Sequence, residues 1–87
     1  MFDLLWTDDS ERHIARHRVT PEEVEQSTNR PFYTTTGRDG TTLPFGQTYA
    51  GRFLLVVLAH ASDGCWYVVT ARTMTVSERR VYKKKAQ

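Results

Sequence analysis

Cleaving RNA without a metal requires a group that helps deprotonate the 2′-hydroxyl, a cation beside the phosphate, and an acid for the departing 5′-oxygen. The chain offers candidates for these roles in Arg72, Arg79, Arg80, Tyr82, Lys83, His13, His17 and His60. Arginine is the better clamp, because its planar fork meets two phosphate oxygens at once. His13 and His17 stand at i, i+4, which is also the spacing of a zinc pair with His60 as a third ligand. No HExxH-like arrangement accompanies them and no cysteine lies near, so His17 reads instead as a helix-terminal histidine favoured by the dipole. No metal or other cofactor is therefore expected. Cys65 opens an apolar strand beside Trp66 and reads as inert packing. Gly37-Arg38-Asp39-Gly40 is a turn, without the Gly-Lys-Ser/Thr ending of a phosphate loop.

The cations are unevenly distributed. Residues 1–50 hold five Lys/Arg against eight Asp/Glu, net −3, whereas residues 51–87 hold seven against two, net +5. Near the end Arg72, Arg79, Arg80, Lys83, Lys84 and Lys85 face only Glu78, a balance that favours phosphates or an acidic partner surface. Aromatic side chains able to stack on bases exist in Tyr33, Tyr49, Trp66 and Tyr67, with core packing the ordinary role for each.

The elements that must position these groups are legible from local signals. Phe2 to Trp6 reads as a short strand, and Asp8 or Asp9 as the N-cap of a polar helix running to about His17. Thr20-Pro21-Glu22-Glu23 combines an N-cap, a first-turn proline and a capping-box glutamate, opening a second helix to about Ser27 that Asn29-Arg30-Pro31 ends. Phe32 to Thr36 is a strand followed by a Gly-rich turn, and Leu43 to Tyr49, with Pro44 and Gly46, reads as an edge or irregular strand. Arg52 to His60, apolar on both sides over Phe53 to Ala59, is the central strand. Ser62-Asp63-Gly64 turns it into Cys65 to Arg72. Strict alternation puts Trp66, Val68, Thr70 and Arg72 on one side of that last strand. Thr75-Val76-Ser77-Glu78 is a second capping box, opening a basic helix to about Lys84. This order predicts an α+β domain with an antiparallel sheet of about four to five strands, packed against N-terminal helices and ending in a basic helix.

With 87 residues, one domain spanning 1–87 is expected, burying roughly 64% of its unfolded surface, too little for a large substrate cavity. The longest apolar run is far too short to span a bilayer. The first residues lack the basic and apolar regions of a secretory signal, and the single cysteine suits a reducing compartment, so a cytoplasmic location is expected.

Trp6, the helix ending Arg16-His17-Arg18-Val19, the opening Thr20-Pro21-Glu22-Glu23-Val24, the apolar strand after Gly51-Arg52, and Ala71-Arg72-Thr73-Met74-Thr75 with Glu78-Arg79-Arg80 and Tyr82 together resemble the BrnT toxin family over nearly the whole chain. The resemblance implies a RelE-like fold and a ribonuclease toxin of a type II toxin–antitoxin pair that inhibits translation. It also implies an RNA substrate and a cognate DNA-binding antitoxin, with which a heterotetramer can form. On this resemblance His17 would be the acid/base and Arg72 the phosphate clamp, helped by Arg79, with Arg80, Tyr82, Lys83 and Lys84 binding RNA. Arg18 stands where the family pattern carries a glycine at a left-handed helix cap, so the first helix is expected to end differently here. The usual Trp-Asp pair is also spaced out, Asp8 standing two positions after Trp6. The alternative is a non-catalytic RelE/ParE-like module that docks a protein such as a topoisomerase, or only its antitoxin.

Overall fold

The structure, a computed structural model, describes residues 2–29 and 33–85. Along the chain run β1 (Leu4–Leu5), α1 (Asp8–Arg16), α2 (Pro21–Asn29), β2 (Tyr33–Thr36), β3 (Thr42–Gln47), β4 (Phe53–His60), β5 (Trp66–Thr73) and α3 (Val76–Lys85). Arg30, Pro31 and Phe32, which carry the expected helix stop and strand start, lie outside the described residues.

The strands form one five-stranded sheet in the order β1-β5-β4-β3-β2. Four of them pair antiparallel, as their short turns require, but β1 runs parallel to β5 through Leu4 opposite Trp66 and Leu5 opposite Tyr67. The α+β class holds and the sheet is mixed. β3 lies inside the sheet, which corrects the edge half of the expectation and leaves the irregular half standing. Pro44 lacks the N–H of a ladder residue, and the pairing to β4 passes over Leu43 and Pro44 while Thr42 and Phe45–Gln47 keep their partners. Gly46 explains the rest of the pattern. A Cβ there would stand 2.0 Å from the Ser27 carbonyl oxygen, so α2 rests directly on β3.

Leu54, Val56 and Leu58 of β4 meet Ile14, Val19 and Val24 of the α1–α2 region on one face, with Val68 and Ala71 of β5. Full burial of each Leu, Ile or Val stabilises by about 2 kcal/mol relative to exposure. The opposite face packs Leu55, Phe45, Met74 and Tyr82 against Phe53, Leu43 and Tyr33. The two N-terminal helices therefore cover one face, and α3 covers part of the other.

Strict alternation fails on β5. Val57 opposes Thr70 but Leu58 opposes Val68, so Val69 is an extra residue that makes a β-bulge. The bulge changes which side each following residue points to. Val68 and Ala71, three apart, share the α1–α2 face, while Arg72 opposite Leu55 falls on the α3 face. This corrects the expected alignment of Arg72 with Trp66 and Val68.

Local caps follow the side-chain chemistry with one shift. Thr7, not Asp8 or Asp9, caps α1, its hydroxyl accepting from Ser10 N at 3.0 Å. Both aspartates then stand in the first turn, where the helix dipole favours acids. Both expected capping boxes form. Glu23 N donates to Thr20 Oγ1 at 3.2 Å and Thr20 N to Glu23 Oε1 at 3.0 Å, and α2 continues two residues beyond Ser27. The matching bonds at α3 join Glu78 N to Thr75 Oγ1 at 3.2 Å and Thr75 N to Glu78 Oε1 at 2.8 Å.

The end of α1 keeps the left-handed cap despite its arginine. Arg18 has φ +58°, Arg18 N donates to Ala15 O at 3.0 Å and Val19 N to Ile14 O at 3.1 Å. Val19 and Ile14 also pack together in the core, completing a Schellman motif. The expectation of a different ending is overturned by Arg52, whose Nη1 donates to Arg18 O at 2.6 Å and Nη2 to His17 O at 3.2 Å. These bonds offset the cost of a Cβ in this conformation.

Candidate phosphate-binding site

Arg72 stands near the end of β5, held by the sheet on the α3 face. Its fork meets Glu78 of α3 in a two-point ion pair, Nη1 to Oε1 and Nη2 to Oε2 both at 2.8 Å, and Nη1 also donates to Thr73 O at 3.1 Å. The guanidinium beside it is the largest cause that holds the Glu78 carboxyl down to about 2, with bonds from Thr75 adding to the effect against partial burial. Conversely, the hydrogen bonds it donates to Glu78 raise Arg72 above its ordinary value. Both groups are therefore charged at neutral pH. The side chains remain 38% and 23% exposed, so the pair is open to solvent and solutes.

At the next residue of α3, Arg79 lies over the Phe53 ring, its guanidinium carbon 5.1 Å from the centroid, and Lys83 Nζ lies 5.4 Å from the same centroid. Each contact is a cation–π interaction worth about 0.5–1 kcal/mol at an exposed site. Phe53 thus gathers two cations, at i and i+4 on the helix, on the face that carries Arg72. Arg79 has no carboxylate partner among the described residues. Arg80 and Lys84 are exposed and likewise lack such a partner among the described residues.

Two of the expected site residues are placed elsewhere. Tyr82 turns inward, 9% exposed, with its ring edge-on to Phe53 at 5.9 Å, and that packing leaves no open ring face for a base. His17 is the exposed C-cap residue of α1, on the helix pair that covers the other face of the sheet. The structure gathers Arg72, Arg79 and Lys83, and it leaves His17 apart from them.

The remaining histidines have neighbours of their own. His13 Nδ1 donates to the carbonyl of the bulged Val69 at 3.1 Å, and His60 stacks on Trp66 with ring centroids 4.1 Å apart. Among the described residues, no group of three or more His, Cys, Asp or Glu side chains could hold a metal ion. A cavity of about 190 Å³ opens beside α2, lined by Phe2, Glu25, Gln26, Thr28, Asn29 and Tyr49, with no cation in its wall. None of the described helices is long and apolar enough to cross a membrane.

Reading the residues alone missed Glu78 as the partner of Arg72 and Phe53 as the ring under the cations. The capping box flagged Glu78 only as a cap, and nothing in a linear pattern links it to an arginine six residues earlier across a strand end. Phe53, first residue of the central strand, reads as core. No known family model matches the chain, and no curated protein matches it.

Proposed function

We propose that the chain is an RNA-directed toxin with a RelE-like fold, cleaving RNA without metal and neutralised by a cognate DNA-binding antitoxin. The observation that carries this reading is the cationic surface on the α3 face, where Arg79 and Lys83 lie over Phe53 on the side of the sheet that holds Arg72. A rigid strand and a capped helix hold these charges in place before any ligand arrives, which is what phosphate contact and charge stabilisation need. Arg80 and Lys84 extend the positive surface along the helix. Arg72 and Arg79 would neutralise the phosphate, while His17, on the other side of the sheet, does not share this surface.

That separation favours a second reading, in which the same face binds RNA or a protein partner without cleaving anything. Expression of the chain alone distinguishes the two. Growth arrest with loss of bulk RNA integrity, relieved by a co-encoded partner, supports the ribonuclease. Arrest with intact RNA supports the docking module, and cleavage by purified protein should survive EDTA. A salt titration tests the surface itself. Each phosphate neutralised on a single strand lowers log K by about 0.7 per tenfold rise in salt, so replacing both Arg79 and Arg80 by alanine should flatten the slope by about 1.4. An unchanged slope would remove α3 from RNA contact.

A further inference from the structure

Glu78 is the sole acidic residue on α3, and β4 and β5 carry none. It is placed on Arg72, which stands on the sheet, whereas Arg79 and Lys83 stand on the helix. Its two oxygens take both terminal nitrogens of Arg72 in parallel, the geometry in which a phosphate also binds arginine. A carboxylate therefore occupies the position a phosphate would take. We propose that Arg72 is a phosphodiester site kept shut by the chain's own Glu78, which RNA must displace to reach the guanidinium.

The exchange is feasible because both partners are partly exposed and because Glu78 can stay on its helix cap while the Arg72 fork changes partner. Glu78 Oε1 still accepts from Thr75 N at 2.8 Å and its backbone N–H still donates to Thr75 Oγ1 at 3.2 Å, while water can replace Arg72 at its oxygens. Acid does not open the site in the physiological range, since the carboxyl stays ionised down to about 2. Only a competing anion does. Inorganic phosphate meets Arg72 alone, whereas an RNA strand that also engages Arg79 and Lys83 binds the second and third cations at no further cost of association. The closed pair thus selects for extended polyanions over small ones, and it keeps Arg72 from capturing cellular phosphate.

The test turns on Glu78→Gln, which keeps the capping box, because glutamine serves at that position, while removing the charge that holds Arg72. This inference rests on the RNA-directed reading, and the experiment separates the two. A fluorescent single-stranded oligoribonucleotide is titrated across a salt series against the native chain, Glu78→Gln, Arg72→Ala and the double variant, with circular dichroism reporting the fold of each. The expected result is roughly tenfold tighter binding by Glu78→Gln, with a salt slope steeper by about 0.7 for the one added phosphate contact, and no gain when Arg72 is absent. A parallel titration with inorganic phosphate should raise the melting temperature of Glu78→Gln and not that of the native chain. A purely structural glutamate cannot produce a gain that depends on Arg72. Equal or weaker RNA binding by Glu78→Gln, with the native chain binding RNA, overturns the gate and leaves the RNA-directed reading standing. Failure of every variant to bind RNA at low salt overturns both.

Discussion

The protein uses one device twice. At α2 a capping-box glutamate, Glu23, holds Arg52 from the start of β4 at 3.0 Å, and at α3 the equivalent glutamate, Glu78, holds Arg72 from the end of β5 at 2.8 Å. The difference lies in what else each arginine does. Arg52 divides its donors among Glu23 and the carbonyls of His17 and Arg18, fixing a left-handed turn between two helices. Arg72 gives both terminal nitrogens to one carboxylate and adds a single bond to the neighbouring Thr73 carbonyl. An arginine with several backbone acceptors is a staple that no ligand can imitate. One whose fork faces a lone carboxylate can change partners, because phosphate presents the same pair of oxygens.

The largest expected effect is on stability. Arg52→Ala strips two carbonyls and a glutamate of their donor in a setting only 28% and 26% exposed, and should cost about 3 kcal/mol in urea unfolding. Arg72→Ala should cost about 1 kcal/mol or less, since it takes a donor from one carboxylate and one exposed carbonyl only. Equal losses at the two sites would erase the distinction drawn between them.

A smaller effect is expected with pH. Glu78 in the folded chain titrates at about 2, below its ordinary 4.5, so its contribution is complete above pH 4.5 and fades as acid approaches pH 2. Partial exposure limits the loss to about 1 kcal/mol. Unfolding free energies measured between pH 5 and pH 2 should therefore fall less steeply in Glu78→Gln than in the native chain. Parallel curves would show that the ion pair contributes nothing to folding.

The smallest change sharpens the account of the staple. Arg18→Gly relieves a side chain at φ +58° and should stabilise by about 0.5 kcal/mol, the strain relieved exceeding the added freedom of the unfolded chain. In an Arg52→Ala background the gain should be no larger, because the bonds of Arg52 go to backbone carbonyls that the substitution leaves in place. A loss of stability on Arg18→Gly would show that the arginine side chain itself holds the turn.

Much of this architecture is written locally. Thr20 with Glu23 and Thr75 with Glu78 announce two helix starts because a capping box needs only four residues, and the Asp63-Gly64 turn needs fewer still. The acceptors of Arg52 were not legible, since they stand 34 and 35 residues away in sequence. Pro44 and Gly46 pointed to an edge or irregular strand, yet β3 is interior, because the glycine makes room for α2 and the ladder passes over the proline. The direction of β1 was equally hidden, as two residues carry no signature of parallel pairing. Of the candidate site, the basic end was visible as composition. Its division, with Tyr82 inward and Arg79 and Lys83 on Phe53, depends on which side of α3 meets the sheet, and the weak apolar pattern of that helix leaves this open.

Val69 marks where the molecule becomes dependent on length. Its side chain is 38% exposed, and its carbonyl bond to His13 requires only a backbone, so most substitutions there should pass unnoticed. Loss of its codon should leave the side of Arg72 equally untouched. With one residue fewer the strand would alternate without interruption through Val68, Thr70, Ala71 and Arg72, and Arg72 would stay opposite Leu55 on the α3 face. One codon inserted between the bulge and Arg72 should do the damage instead, since it would place Arg72 opposite Leu54, on the side already filled by α1 and α2 and away from Glu78.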